Sequence, residues 1–274
     1  MSPAGPVYKL LTGKESPGSG KFTMELLGPL FKLSRLPFAS RVHPWLNEKK
    51  TDMRWLPVNE DIELTENAPL PLELLYRFCD EASHRVIFNR CGCRVAMQCS
   101  DYPVDMGCLL MGDSALEALG EISREVDAAE AKEHVKKAVD AGLVPIIGKA
   151  RVDNYLFGIK DRSRLLTVCL CCECCCITRY TRFAPLKRLE PLFPRLDGVS
   201  VEVTDECTGC SKCVKHCYVR AITVDGGRAV ISSYCRACGR CATVCPQGGV
   251  RVRINDPDFM EKAYRRIRSY VQVD

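Results

Sequence analysis

Residues 207–246 read CTGCSKCVKHCYVRAITVDGGRAVISSYCRACGRCATVCP. Cys207, Cys210, Cys213 and Cys217 recur 28 positions later as Cys235, Cys238, Cys241 and Cys245, so the stretch is an internal duplication. Between the two runs, Ile222 and Val224 lead into Asp225-Gly226-Gly227 and then Val230 and Ile231, a hairpin signal. Just beyond, Val250, Val252 and Ile254 alternate with Arg251 and Arg253, the pattern of a half-buried strand. Two-residue gaps turn a chain about a centre. Each C-x₂-C-x₂-C run therefore wraps three thiolates around one corner and leaves a fourth to arrive from elsewhere. Two metal chemistries suit such runs, a pair of iron–sulfur cubanes or two Cys₄ zinc sites. The even gaps and the duplication favour the cubanes.

The segment resembles the two-cluster bacterial ferredoxins, in which the distal cysteine of each run ligates the other run's cluster. That resemblance implies one [4Fe–4S] cluster on Cys207, Cys210, Cys213 and Cys245, and a second on Cys235, Cys238, Cys241 and Cys217. Cys245 is followed by Pro246 as in that family, but Cys217 is followed by Tyr218, which puts the local turn in doubt and not the ligand. Residues 201–256 carry eight Lys/Arg against five Asp/Glu, 8 − 5 = +3, whereas small ferredoxins tend to be acidic. The module is expected to dock to a different kind of partner, or to rest permanently on its own N-terminal part.

The chain has 274 residues and 19 cysteines, so 19 − 8 = 11 lie outside this stretch. The N-terminus lacks the apolar core of a secretory leader, and no run approaches the roughly 18 apolar residues of a membrane span. A reducing cytoplasm is expected, where thiolates bind metal rather than pair. Residues 1–50 hold eight Lys/Arg against three Glu, 8 − 3 = +5, which equals the whole net charge. This basic arm interleaves Met24, Leu26, Leu27, Leu30, Phe31 and Leu33 with Lys32 and Arg35, and Pro29 and Pro37 should interrupt any long helix. It reads either as a foot on a membrane surface or partner groove, held from the cytoplasmic side, or as an arm packed on its own domain.

Residues 51–196 read as a cysteine-rich, α-containing domain, 197–256 as the ferredoxin-like domain and 257–274 as a closing helix, an α+β chain overall. Pro71 with Leu74, Leu75, Phe78 and Ala82 signals a helix, as do Ala131, Val135, Ala138 and Val139 closed by Gly142. Ser114 is placed as the cap of a helix using Leu116, Leu119 and Ile122, and Val144–Ile147 is a short apolar run. In the last segment Asp256 caps a helix burying Phe259, Ala263, Ile267 and Tyr270.

Ten of the remaining cysteines are candidate ligands for one or two further iron–sulfur clusters: Cys91, Cys93, Cys99, Cys108, Cys169, Cys171, Cys172, Cys174, Cys175 and Cys176. In extended chain, residues two apart share a face, so Cys169 and Cys171 aim one way and Cys172 and Cys174 the other. Such a segment threads between two metal centres. The eleventh, Cys79, beside Phe78, reads as a buried apolar thiol. Arg94 is either a donor to cluster sulfur or a surface arginine. Glu173 and His84 are the groups near cysteines that invite proton chemistry, and His84 has no partner visible in the sequence. Cys91-Gly92-Cys93-Arg94, Gly142-Leu143-Val144 and the CxCCxCC run at 169–175 make residues 55–250 similar to the 4Fe–4S dicluster proteins of anaerobic bacteria and archaea. That resemblance implies an architecture and carries no reaction with it.

Gly13-Lys14 and Gly20-Lys21 lack the rest of a phosphate-binding loop, and no flavin, nicotinamide or nucleic-acid signature is present. The expected function is single-electron transfer to or from a redox enzyme or donor protein in anaerobic metabolism. The alternative is a reductase or reductive activator, with the N-terminal centre as its active site and the ferredoxin part as its feed.

Overall fold

The computed structural model describes residues 6–12, 17–36, 51–57, 62–64, 71–150 and 152–274. Its centre is a six-stranded antiparallel sheet built from β1 (Asp52–Trp55), β3 (Arg85–Phe88), β4 (Leu109–Met111), β5 (Ser123–Glu125), β6 (Val144–Lys149) and β7 (Leu166–Cys171), in the order β1-β6-β7-β4-β3-β5. Helix and strand are thus mixed, as expected. The 51–196 region, expected as merely α-containing, has this sheet as its frame. β6 and β7, six residues each, are the long apolar strands of the sheet; β3, β4 and β5 have three or four residues each and carry no legible alternation.

The Pro71–Glu81 helix packs Leu74, Leu75 and Phe78 against one face of the sheet, beside the Ala128–Asp140 helix. The latter is capped by Asp127, whose side chain accepts from Glu130 N at 2.8 Å, and stops where Gly142 takes φ +84°. The expected Ser114-capped helix is a 3₁₀ turn at Asp113–Ala118 begun by Gly112, and Ile122 lies beyond it. The Phe259–Arg268 helix buries Phe259, Ala263 and Ile267. Its first N-cap is Asp258 rather than Asp256, which instead accepts from Asp258 N at 2.9 Å and Lys262 Nζ at 2.5 Å.

Strand β2 (Ile62–Leu64) joins a second sheet, in parallel with β11 (Val250–Ile254), which pairs antiparallel with β8 (Val199–Val203). A segment from before residue 197 therefore completes the sheet of the segment after it. Asp52 ties the same halves together. It accepts from Arg54 Nε at 3.0 Å and from Arg266 Nε of the C-terminal helix at 2.7 Å. The β9 (Ile222–Asp225) and β10 (Arg228–Ile231) strands form the expected hairpin, with Gly226 and Gly227 both at positive φ.

In the basic arm, the Pro17–Leu33 helix runs through Pro29, contrary to expectation. It lies on the Gly92–Ala96 helix and the Ile177–Phe183 3₁₀ turn, burying Met24 and Phe31, with Lys32 Nζ 5.3 Å from the Phe183 ring centroid. Tertiary packing outweighs the local penalty of the proline. The packed-arm reading describes this inner face, while Phe22, Leu26 and Leu33 stand exposed on the outer one. Pro37, Phe38, Arg41, Lys49 and Lys50 lie outside the described residues. Among the described residues, no helix is long and apolar enough to cross a membrane.

Candidate metal centres

The duplication in sequence is a duplication in backbone. Gly209, Ser211 and Arg220 have positive φ, and so do Ala237, Gly239 and Gly248, each 28 residues on. L-residues rarely adopt that conformation, so Ser211, Arg220 and Ala237 hold it because the loop around a centre demands it. The turned-in amides donate to sulfur: Ala229 N to Cys207 Sγ at 3.3 Å, Ala237 N to Cys235 Sγ at 3.4 Å, and Ala221 N to Cys217 Sγ at 3.2 Å. Amide donation to Cys207 holds its thiol below the ordinary range, whereas burial pushes Cys235, Cys238 and Cys241 up.

One hollow is lined by Cys207, Cys210, Cys213 and Cys245, and a second by Cys217, Cys235, Cys238 and Cys241. Each draws three thiols from one run and one from the other. Counted to their open mouths they enclose 310 and 360 Å³, near-equal as a repeat requires. The first is the outer one, with Cys210 exposed. The second is walled by Trp55, Tyr218 and Arg240. This donor set, four soft thiols around a hollow ringed with inward amides, fits a [4Fe–4S] cluster in each.

The ten N-terminal thiols fall into two groups. Cys99, Cys172, Cys174 and Cys175 form a tetrad whose sulfurs all lie within 4.8 Å of one another. Cys91, Cys93, Cys108, Cys169, Cys171 and Cys176 form a nest. Its thiols are linked in sequence by hydrogen bonds, Cys91 to Cys93, Cys93 to Cys176, Cys176 to Cys171 at 2.8 Å, Cys171 to Cys169, and Cys169 to Cys108. Strand β7 explains the split. Its pleat carries Cys169 and Cys171 to the nest, and the chain then turns to bring Cys172, Cys174 and Cys175 to the tetrad before Cys176 returns. Cys91 and Cys93 reach the nest from the N-cap and first turn of the Gly92–Ala96 helix rather than from extended chain. All nineteen thiols are free.

Each group holds one easily ionised thiol. Donation from Cys175 is the main cause that lowers Cys172 to about 5. Burial opposes ionisation of Cys176, but its hydrogen bonds with Cys171 and Cys93, and donation from the Thr178 hydroxyl, outweigh it and bring that group to about 5 as well. Cys79 stands apart in the apolar core, where burial pushes it up to about 12.

The Arg94 side chain is neither on the surface nor bonded to sulfur, although the residue's backbone amide donates to the Cys91 thiol. It is 1 % exposed and donates to the carbonyls of Pro103 (2.7 Å), Leu170 (2.7 Å) and Met106. Its charge acts on Cys91, Cys171 and Cys108 of the nest and on Cys172 of the tetrad, so it sits between the two groups. His84 does have a partner: its Nδ1 lies 2.6 Å from Glu125 Oε1 at an exposed edge.

Sequence reasoning singled out Glu173 but missed the partners through which it joins these centres. Glu173 accepts from the Tyr102 hydroxyl, 3.0 Å to each carboxylate oxygen, pairs with His216, and lies 3.6 Å from Arg240 Nη2. Arg240 in turn donates to the Tyr102 hydroxyl at 2.5 Å. Tyr218, the departure from the ferredoxin pattern, is 1 % exposed and donates to the Cys171 carbonyl at 2.7 Å. The signal for Tyr218 was that very departure. Tyr102 and His216 gave none.

Against known proteins, a family model described as "4Fe-4S dicluster domain" matches residues 206–249, the segment that builds both hollows. No curated protein and no solved structure matches the chain.

Proposed function

We propose that this chain is a multi-cluster electron-transfer protein that passes single electrons between a partner redox enzyme and an N-terminal thiol-bound centre. Two [4Fe–4S] clusters sit in the hollows, on Cys207, Cys210, Cys213 and Cys245 and on Cys217, Cys235, Cys238 and Cys241. Four of the six nest thiols suffice for a further cubane. When bound, such clusters take up and release one electron each. The single observation that carries the reading is the junction of inner hollow and nest. Cys217 lines the hollow, and the next residue, Tyr218, bonds the backbone of nest Cys171.

The chain's own groups set the direction. Cys210 is exposed, so a partner meets the outer hollow. Lys212 and Lys215, exposed on the short helix just after Cys210, suit an acidic partner surface. The inner end is more covered than the outer one, with three of the six nest thiols buried and Cys93, Cys108 and Cys169 half-buried. Cys91, Cys171 and Cys176 are 7, 2 and 5 % exposed, beneath the helix that buries Met24 and Phe31. That cover favours a carrier over the alternative reductase, whose substrate would have to reach the nest.

Anaerobic purification with iron and sulfide analysis and EPR tests this. The expected result is two interacting [4Fe–4S] signals plus iron that disappears in Cys91→Ala and Cys171→Ala chains while those signals persist. A chain whose iron is confined to the two hollows sinks the proposed route, and turnover of a disulfide or unsaturated substrate at the nest would replace it with the reductase.

A further inference from the structure

The nest and the tetrad differ in size, and the difference decides what each can hold. In the tetrad, Cys99 Sγ lies 3.7 Å from Cys174 Sγ, Cys99 also bonds Cys175, and Cys172 bonds both Cys174 and Cys175. The four sulfurs close into a small ring, all within 4.8 Å. A tetrahedral zinc–thiolate site with Zn–S of about 2.3 Å has sulfurs separated by 2.3 × 1.63, about 3.8 Å. A four-iron cube spreads its thiolates farther, because each binds a different corner. The same molecule supplies the comparison. Among the described residues, no three of the eight ferredoxin-segment thiols come within 4.8 Å of one another.

We propose that Cys99, Cys172, Cys174 and Cys175 hold one tetrahedral Zn²⁺ ion and not an iron–sulfur cluster. The site is a clamp. It joins the loop after the Gly92–Ala96 helix to the turn after β7. Between two of its ligands it fixes Glu173 against Tyr102, and against His216 and Arg240 of the ferredoxin segment. Zinc has no accessible redox change, so the ion braces the junction without becoming a stop for electrons. Arg94, buried beside Cys172, offsets part of the charge of four thiolates around a divalent ion.

The proposal rests on the reading that the N-terminal thiols are metal ligands and narrows it for these four. The test is metal analysis and zinc-edge X-ray absorption on the full chain purified anaerobically. About one zinc per chain with a shell of four sulfurs at about 2.3 Å is expected. Cys99→Ala should lose the zinc and keep its iron. Cys99→His, which leaves a Cys₃His set, should retain zinc with one sulfur replaced by nitrogen. A zinc-free chain, or a Cys99→Ala chain that loses a cluster's worth of iron, overturns the zinc assignment but leaves the nest reading intact. Iron confined to the hollows, with zinc present, instead sinks the nest and leaves the clamp standing. The absorption spectrum of the unmodified chain keeps the test decisive even where a variant fails to fold.

Discussion

Replacing Tyr218 by Phe removes one hydroxyl and nothing else. That hydroxyl donates to the Cys171 carbonyl over 2.7 Å, between residues 1 and 2 % exposed. A neutral hydrogen bond has a net worth of about 1 kcal/mol, and an acceptor left without its donor in a dry site raises the loss to about 1–3 kcal/mol. The phenyl ring stays where the tyrosine ring is, 6.2 Å from Trp55, so packing is preserved. No thiol is touched. The expected outcome is unchanged iron content after purification, with thermal loss of the visible cluster absorbance shifted down by about 2–4 °C per kcal/mol. Because the bond joins the inner hollow to the nest, the nest should release iron before the hollows do. The assay is an anaerobic melt at one scan rate, followed by absorbance and chelator-detected iron. A Tyr218→Phe chain that melts with the parent, or that loses both pools of iron in one step, refutes the junction as argued.

Other outcomes follow from the same geometry. A Cβ on Gly249 would lie 2.6 Å from Cys207 Cα, so Gly249→Ala should lose the outer cluster's iron and keep the inner signal. Gly226→Ala, which meets nothing within 4 Å, should keep both at a cost of about 1–2 kcal/mol. Glu173→Gln leaves the buried Arg240 without its carboxylate, a loss of about 3 kcal/mol read by faster proteolysis between the two halves. Burial raises Asp153 to about 6 from 3.8, against donors Ala150 N and Thr167 Oγ1. A raised folded pKa contributes fully below the unfolded value and is lost as pH climbs through 6. Stability should therefore fall by about 3 kcal/mol, (6 − 3.8) × 1.36, between pH 4 and 6. Asp153→Asn should flatten that slope in denaturant titrations, and an unchanged slope would exclude Asp153 as its source.

What could be read before any folding was local. The 28-residue repeat, the Asp225-Gly226-Gly227 hairpin and the alternation at 250–254 all depend on neighbours in the chain, and all appear where expected. The Cys169–Cys176 run also declared two destinations, although the pleat holds only for Cys169 and Cys171 and a turn after β7 carries Cys172 and Cys174 to the other group. Tertiary structure decided the rest. Short strands such as β3 to β5 exist only because the sheet pairs them, and the Pro17–Leu33 helix survives Pro29 only because it is packed. Arg94 and His84 found partners far along the chain that no spacing announces. Above all, the assortment of ten like thiols into a nest of six and a tetrad of four rests on contacts between residues far apart in the chain, such as Cys99 with Cys175 and Cys93 with Cys176, 76 and 83 positions apart. Residue type and spacing say that a thiolate can bind metal. The separation of sulfurs, which long-range packing sets, says how many ions they can share.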